Sequence, residues 1–279
     1  VLARYAWISA AWYYIRQKKN PAMTVSYEPV HVKRSHHGWW IRLGAIVALV
    51  GFCAYFSGAS GQWIQATSVC AHRGGVKGFP ENNLASLRRL ISENVISSAE
   101  IDVQQLKDGT IVLMHDSNFK RIAGVDRNVW DVNYEEALTY DMGAYCGEEW
   151  ADTPISTLEE VLDYVKTVSW FQLVIEIKLN GHEQGLIEQV VKMIAEKDMT
   201  EQCILASMNY DVLKKSKEFN PEITTQLITF IAYGKLYTLD AVDIYSVEAS
   251  FVTPKLVSVL RSLKKPLYVW TVNQEEEIR

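Results

Sequence analysis

Residues 99–116 have the sequence AEIDVQQLKDGTIVLMHD, in which two β-forming runs flank Asp108-Gly109. An Asp-Gly pair between two such runs is a strong signal for a two-residue hairpin turn. With these two residues as the turn, Asp102 faces His115 across the hairpin. Because side chains alternate along a strand, Glu100 lies on the same face. The stretch therefore predicts two carboxylates and one imidazole in a single cluster.

This cluster has the chemistry of a metal or proton-transfer site. Carboxylates without thiols are the ligands preferred by a hard cation such as Mg²⁺ or Ca²⁺. The imidazole can transfer a proton near neutral pH. A surface hairpin with an acidic face explains this stretch equally well. The choice between a functional site and a surface hairpin therefore depends on the rest of the chain.

Composition sets the outer limits of the interpretation. The 279-residue chain has 28 basic and 33 acidic side chains, a formal net charge of −5. This balance argues against a nucleic-acid partner, which usually requires a basic surface. The four cysteines show no CxxC spacing, so a zinc site is not expected. The length allows one large domain with additional segments.

The N-terminal part is predicted to be embedded in a membrane. Residues 1–15 are apolar and aromatic, as in the end of a transmembrane helix, although an amphipathic surface helix is the alternative. Residues 39–60 form a second apolar segment long enough to span. A cleaved signal peptide is the alternative for this segment, but the apolar tract before it argues against that reading.

The loop between these segments predicts the topology. Residues 16–38 are rich in Lys and Arg, and the positive-inside rule places such a loop in the cytoplasm. The chain is then a multi-pass protein of the cell membrane, and the domain that follows is extracytoplasmic. Because the first residue is Val, we expect the sequence to begin inside a longer gene product.

From residue 68 onward strands and helices alternate, which favours an α/β fold with a parallel sheet or TIM-type barrel. Residues 66–279 are predicted to form this barrel, with 117–153 as an insertion over one end. The segment 110–115 runs antiparallel to its hairpin partner and cannot be a barrel strand. An eighth strand is then missing, so we expect a barrel truncated at the C-terminus, with two unpaired edges. Seven barrel strands are predicted, at 68–72, 99–104, 173–178, 203–208, 224–230, 243–250 and 267–272.

Polar residues follow two of these strands. The first strand ends on His72-Arg73-Gly74-Gly75, where paired glycines allow a close backbone approach and Arg73 offers a planar fork for phosphate. In LVIEIK, residues 173–178, Glu176 and Lys178 share one face. Barrel enzymes place their chemistry at the C-terminal ends of strands, which indicates a site; a structural ion pair is the alternative.

The motifs HRG, PEN, EIDVQ, DG, HD, PISTLEEVL, IEIK and VWTVN occur in this order. Taken together they resemble the glycerophosphodiester phosphodiesterase family over about residues 68–279. The N-terminal part is similar to bacterial members that carry a membrane domain before the barrel. The family's closing strand is absent from the matched region.

The resemblance implies a TIM-type barrel that cleaves glycerophosphodiesters to glycerol 3-phosphate and an alcohol with a divalent cation, Mg²⁺ or Ca²⁺. By motif, His72 and His115 resemble the acid–base pair. Glu100, Asp102 and Glu176 resemble the metal ligands. The substrate-binding residues are implied to be Arg73 and Lys178 for the phosphate, Glu81 as a supporting carboxylate, and Trp270 as a wall of the glycerol pocket.

A reaction course follows from these roles. Since the substrate carries a hydroxyl next to the ester oxygen, His72 is expected to deprotonate it for attack on phosphorus, giving a cyclic phosphate. His115 is then expected to protonate the leaving alcohol. Two other functions stay open: a non-catalytic binder of glycerol-phosphate headgroups or polymers, and phospholipase D-like cleavage of lysophospholipids. The second would use an apolar rim on the insertion, for which it offers Trp130, Tyr134, Tyr140, Tyr145 and Trp150.

Overall fold

The computed structural model describes residues 5–8, 68–75, 78–94, 96–230 and 237–273. Within these residues a single nine-stranded sheet curls into a TIM-barrel-like ring, and all neighbouring strands are parallel except the pair β3–β4. The order is β2-β1-β9-β8-β7-β6-β5-β3-β4, and β2 also pairs with β3. The strands are β1 (Tyr5–Ile8), β2 (Val69–Ala71), β3 (Ser98–Gln105), β4 (Ile111–Leu113), β5 (Gln172–Ile177), β6 (Cys203–Ser207), β7 (Thr224–Thr229), β8 (Ile244–Glu248) and β9 (Leu267–Trp270).

Five of the helices connect successive strands of the sheet. Residues next to the helix start cap two of these helices. Thr157 and Glu160 form the capping box that the sequence predicts, and Thr253 caps a helix that has Pro at its first position. The helices in the described ranges are α1 (Leu84–Ser92), α2 (Lys120–Ala123), α3 (Tyr134–Ala137), α4 (Leu158–Lys166), α5 (Leu186–Glu196), α6 (Tyr210–Phe219) and α7 (Pro254–Ser262).

Strand alternation divides the sheet into two faces. Ile175 and Ile177 point outward and pack with buried residues of the helices, such as Val161 and Val190. Val174 points inward and joins a smaller apolar cluster that fills the barrel, where it meets residues of β2, β6, β7, β8 and β9. The seven predicted barrel strands are confirmed, with ends that differ from the prediction by one or two residues.

The hairpin between β3 and β4 differs from the prediction by one residue in register. Gly109 donates its N–H to Leu106 O at 3.0 Å, and Leu106 in turn donates to Thr110 O at 2.9 Å. The loop thus has three residues, and Gly109 closes it in the left-handed conformation (φ 88°). The residue opposite Asp102 is consequently Met114 and not His115. The backbone carbonyl of Asp102 accepts from Met114 N at 3.0 Å.

The segment 117–153 carries its own apolar cluster. Phe119, Ile122, Val129 and Tyr140 pack together, with the Phe119 and Tyr140 rings 5.1 Å apart. The cluster also includes Val112 and Met114 of the hairpin, so the segment is anchored to β4. This packing holds the segment beside the end of β3.

The strand β1 departs from the sequence prediction. Residues 5–8 pair in parallel with both β2 and β9, in the position where the prediction left two unpaired edges. These four residues form a strand within the segment for which the sequence predicts the end of a membrane helix. The rest of 1–15, the loop 16–38 and the segment 39–60 lie outside the described residues. Within the described part of the chain, no helix has the length and apolar character needed to span a bilayer.

Candidate active site

Three buried carboxylates meet where β3 pairs with the second half of β5. The register pairs Asp102 with Glu176, and Glu100 precedes Asp102 by two residues on the same face. One oxygen from each of the three lies within 4.8 Å of the others. Glu100 and Asp102 are each 1% exposed and Glu176 is 7% exposed. We call these three residues the acidic cluster; the sequence prediction named all three.

Like-charge repulsion in a buried setting governs the protonation of the acidic cluster. Burial, followed by the charges of Asp102 and Glu176, raises the pKa of Glu100 well above its ordinary value. Burial and the charge of Asp102 raise the pKa of Glu176 to about 7. Burial acts in the same direction on Asp102, but Lys178, His115 and Asn82 together hold its pKa below the ordinary range.

The acidic cluster fits a hard divalent cation by its chemistry. All the candidate ligands are carboxylate oxygens, which Mg²⁺ and Ca²⁺ prefer. Glu100 Oε1 is buried and has no hydrogen-bond partner among the described residues. Since a buried carboxylate oxygen without a partner is unfavourable, this atom is the one that a bound cation would satisfy.

Lys178, in the loop after β5, forms ion pairs with two residues of the acidic cluster. Its Nζ lies 2.9 Å from Glu176 Oε1 and 3.2 Å from Asp102 Oδ1. Although burial lowers the pKa of Lys178, the charges of Asp102 and Glu176 raise it more, so the ammonium stays charged. One cation thus offsets part of the repulsion between two of the three carboxylates.

The loop after β2 brings a second cation and the first imidazole. His72–Gly74 form one turn of 3-10 helix, in which Arg73 has a left-handed backbone (φ 56°, ψ 28°). This conformation is strained for a residue other than glycine, and such strain is concentrated at functional sites. The Arg73 backbone N–H donates to Glu100 Oε2 at 2.8 Å, and Arg73 Nε lies 4.0 Å from Asp102 Oδ2.

His72 lies between the cationic and acidic parts of the site. Burial, and then the neighbouring Arg73 charge, lower the pKa of His72 to about 4, and the His115 imidazole acts in the same direction. At pH 7 the His72 imidazole is therefore neutral and can accept a proton. The contribution of His115 also shows that the two predicted histidines lie near each other.

Asn82 is a site residue that the sequence analysis did not identify. Its Nδ2 donates to Asp102 Oδ2 at 2.8 Å, and its Oδ1 accepts from the Asp102 backbone N–H at 2.8 Å. Its own N–H donates to Arg73 O at 2.6 Å. Asn82 thus ties the acidic cluster to the loop that carries Arg73. Asn82 is the last residue of the PEN motif, which could have marked it. The helix cap that the sequence predicts for an Asn in this segment is the adjacent Asn83.

His115 reaches the site from a loop held by buried Gln104. Gln104 Nε2 donates to the carbonyls of Met114, His115 and Asp116 at 3.0, 3.1 and 2.8 Å. His115 Nδ1 lies 2.8 Å from Asp116 Oδ1. Gln104 follows Asp102 by two residues on the same face, so strand spacing could have marked it. His115 joins the site through this loop rather than by pairing opposite Asp102.

Arg121 connects the two sides of the site. Its Nε donates to Asp116 Oδ2 at 2.6 Å, and its Nη2 donates to Glu81 Oε1 at 2.6 Å. Glu81 Oε1 also accepts from Arg73 Nη1 at 3.0 Å. The hydrogen bond from Arg121, with a weaker one from His115, lowers the pKa of Asp116 to about 2. No local pattern in the sequence points to Arg121, because its partners come from two other segments.

Trp270 lies at the end of β9, apart from the contacts described above. Its Nε1 donates to Ser246 O at 3.1 Å, and its ring lies 5.1 Å from that of Phe230. It packs against the apolar cluster inside the barrel and is partly exposed. The structure places it at the barrel mouth but shows no contact between it and the acidic cluster.

The barrel, the acidic cluster and two imidazoles at one mouth define a class: TIM-barrel-like proteins with a site suited to phosphate esters. Residues 72–279 match the family model described as the Glycerophosphoryl diester phosphodiesterase family. The chain belongs to this family of phosphodiesterases.

Individual proteins agree with the family match. A glycerophosphodiester phosphodiesterase of Caldanaerobacter subterraneus subsp. tengcongensis is 31% identical over 216 residues, which cover 76% of this chain and 88% of that protein. Lysophospholipase D GDPD1 of Homo sapiens is 25% identical, covering 70% of this chain and 63% of that protein. The solved structure of an Oleispira antarctica phosphodiesterase in complex with the product sn-glycerol-3-phosphate is similar, with a TM-score of 0.66 and 27% identity, covering 75% of this chain and 86% of that one.

Replacing Gln104 tests whether it supports the loop that carries His115. Gln104→Leu removes the donor shared by three backbone carbonyls, and we expect the free energy of unfolding to fall by about 1–3 kcal/mol. Urea denaturation measures this change. The matched control is Gln172→Leu, since the half-buried Gln172 side chain makes no hydrogen bond within the described ranges. Equal stability of the two variants would contradict the supporting role.

Proposed function

We propose that this protein hydrolyses glycerophosphodiesters to glycerol 3-phosphate and an alcohol, with a divalent cation in the acidic cluster and with His72 and His115 as the proton-transfer pair. The observation that carries the proposal is the convergence of the three carboxylates within 4.8 Å beside Lys178 and the Arg73 loop. Membership of the family, and the product that the Oleispira antarctica relative binds, support this substrate class.

The charge of the phosphodiester has to be neutralised before phosphorus is attacked. Glu100, Asp102 and Glu176 would hold Mg²⁺ or Ca²⁺, which supplies Lewis-acid stabilisation of phosphoryl oxygens when bound. Arg73 and Lys178 flank the acidic cluster and can donate to the remaining phosphoryl oxygens. In the absence of substrate these cations contact carboxylates, so binding exchanges some of those contacts for contacts to phosphate.

Proton transfer is divided between the two imidazoles. Neutral His72 takes the proton of the glycerol 2-hydroxyl, whose oxygen bonds to phosphorus as the bond to the alcohol oxygen breaks. His115 gives a proton to the leaving alcohol oxygen. Water then opens the cyclic phosphate to glycerol 3-phosphate: His115 takes the proton of the attacking water, and His72 returns its proton to the glycerol 2-oxygen as the bond between that oxygen and phosphorus breaks. Asp116, kept ionised by Arg121, accepts from His115 Nδ1 and leaves Nε2 for the transfer. A diester that lacks the 2-hydroxyl should not be cleaved, and normal cleavage of it would exclude this route.

Two alternatives are separable by assay. A non-catalytic binder would release no glycerol 3-phosphate with or without a cation. The similarity to the human lysophospholipase D supports the second alternative, cleavage of lysophospholipids in the manner of phospholipase D. This activity would need an apolar rim, but most of the aromatic residues proposed for the rim contact other parts of the protein. Tyr140 is buried in the cluster of segment 117–153, Tyr145 OH accepts from Glu81 N at 2.7 Å, and the Trp150 ring lies 5.2 Å from that of Phe79. A comparison of glycerophosphocholine with its acylated form decides between the two substrates.

Cation binding is tested with Glu100→Gln. We expect Mg²⁺ or Ca²⁺ at 100 times its Kd to stabilise the wild-type chain by about 2.7 kcal/mol and to restore activity lost in EDTA. The variant should show neither effect, yet its melting temperature in EDTA should not fall, because burial and the charges of Asp102 and Glu176 already disfavour the ionised form of Glu100, which Gln replaces with a neutral group. Differential scanning calorimetry measures the shift, with exposed Glu201→Gln as the matched control. A cation-induced shift retained by Glu100→Gln would count against the proposed ligand set.

The role of His115 is tested by changing the leaving group. His115→Ala should lower kcat on an alkyl glycerophosphodiester by about 10²–10⁴-fold, the usual contribution of a general acid. With a p-nitrophenyl ester, whose leaving group needs no protonation, the loss should be much smaller. Exposed Lys214→Ala, on α6 and outside the site, is the control on both substrates. Equal losses on both esters would show that His115 is not the acid.

The membrane location stays a prediction from the sequence. We propose that segment 39–60 anchors the chain and that the barrel acts at the outer face of the cell membrane, supported by the basic loop 16–38 and the rule that such loops stay inside. Protease added to intact spheroplasts should then cleave the catalytic domain, and carbonate should not extract the chain. Protection of the domain until lysis would reverse the topology.

A further inference from the structure

A cleft of about 820 Å³ opens beside the acidic cluster, between segment 117–153 and the loop after β5. We call it the side cleft. His115, Asp116 and Lys178 line it together with Asn118, Trp130 and Asn180. It is therefore continuous with the proposed reaction site.

The two histidines of the proposed reaction differ in whether they line the side cleft. His115 lines it, whereas His72 is not among its lining residues. In the proposed reaction His115 protonates the alcohol oxygen and His72 serves the glycerol hydroxyl. In an in-line displacement the leaving group lies opposite the attacking oxygen. The alcohol half of the substrate is then the half that extends into the side cleft.

The charged side chains that line the side cleft are already paired. Lys120 Nζ lies 3.1 Å from Asp126 Oδ2. Arg121 binds Asp116, and Lys178 binds Glu176. Within the described residues, no lining carboxylate is left without a cation. The cleft thus lacks the uncompensated negative charge that would attract an ammonium headgroup.

The remaining lining side chains are three amides, Ser117, Leu179 and the aromatic ring of Trp130. Asn118 Nδ2 donates to Asp126 Oδ1 at 3.3 Å and to Asn128 Oδ1 at 3.1 Å, and Asn180 Nδ2 donates to Gln104 Oε1 at 3.2 Å. One N–H of Asn180 and one lone pair on each Oδ1 remain for a ligand in the cleft. The Trp130 ring stacks on His182, with centroids 4.4 Å apart and planes 13° from parallel, so one indole face is covered. The other indole face is left for a ligand, with no unpaired carboxylate beside it to attract a cation, and the remaining amide groups match hydroxyl groups better than a methylated cation.

We propose that the side cleft binds the leaving alcohol and selects an uncharged polyhydroxy alcohol, such as glycerol or a cyclitol, over an amino alcohol. The inference rests on the proposed function and specifies its substrate class. Trp130 is the specificity-determining residue, because it lines the cleft with an aromatic ring that stacking on His182 holds in place.

The experiment compares four diesters with the same glycerol 3-phosphate half: glycerophosphoglycerol, glycerophosphoinositol, glycerophosphocholine and glycerophosphoethanolamine. Release of glycerol 3-phosphate gives kcat/KM for each. The two polyol diesters should exceed the two amino-alcohol diesters by about tenfold or more. Trp130→Ala should remove most of this preference by lowering kcat/KM for the polyols, and Trp130→Phe should keep part of it. Exposed Trp170→Ala is the matched control, since Trp170 lies outside the cleft and packs on Phe171.

The outcomes separate the two claims. Cleavage of all four diesters at similar kcat/KM, or a choline preference, overturns the polyol inference and leaves the proposed function standing. An equal loss on all four in Trp130→Ala overturns the role of Trp130 in specificity. No release from any diester by the cation-loaded wild-type chain overturns the proposed function and the inference together.

Discussion

The structure of the site depends on keeping three carboxylates together inside a barrel. Charges of one sign in a buried setting repel strongly, and burial itself disfavours the ionised form. The raised pKa values of Glu100 and Glu176 express this cost, while Asp102 stays ionised because Lys178 and Asn82 hold it. Such an arrangement is stable only with cationic partners, and a bound cation would complete them.

Hydrogen bonds from two loops, one on each side, hold the acidic cluster and the residues around it. On the β2 side, Arg73 donates its backbone N–H to Glu100, and Asn82 ties Asp102 to the same loop. On the β4 side, Gln104 holds the loop that carries His115. Arg121 then joins the two sides by binding Glu81 and Asp116. The strained backbone of Arg73 is kept in place by these contacts, which makes the loop geometry a property of the whole network.

The hairpin shows how a correct local signal can lead to the right cluster by a wrong route. The Asp108-Gly109 pair does mark the turn, but Gly109 closes a three-residue loop, and every cross-strand pair shifts by one residue. Loop length is decided by which residue takes the left-handed conformation, and the sequence allows more than one choice. His115 still reaches the site, because Gln104 and Asp116 position it after the strand has ended.

The barrel strands, the family, and the common face of Glu100, Asp102, Glu176 and Lys178 could be predicted from the sequence, because period-two alternation and spaced motifs are local properties. The hairpin register, the pairing of strand Tyr5–Ile8, and the parts played by Asn82, Gln104 and Arg121 could not, and they are known from the folded chain. These contacts join residues from distant segments, and their geometry depends on how helices and loops pack around the sheet. The same holds for the side cleft, whose walls come from segment 117–153 and the loop after β5 and exist only once those two segments have folded against each other.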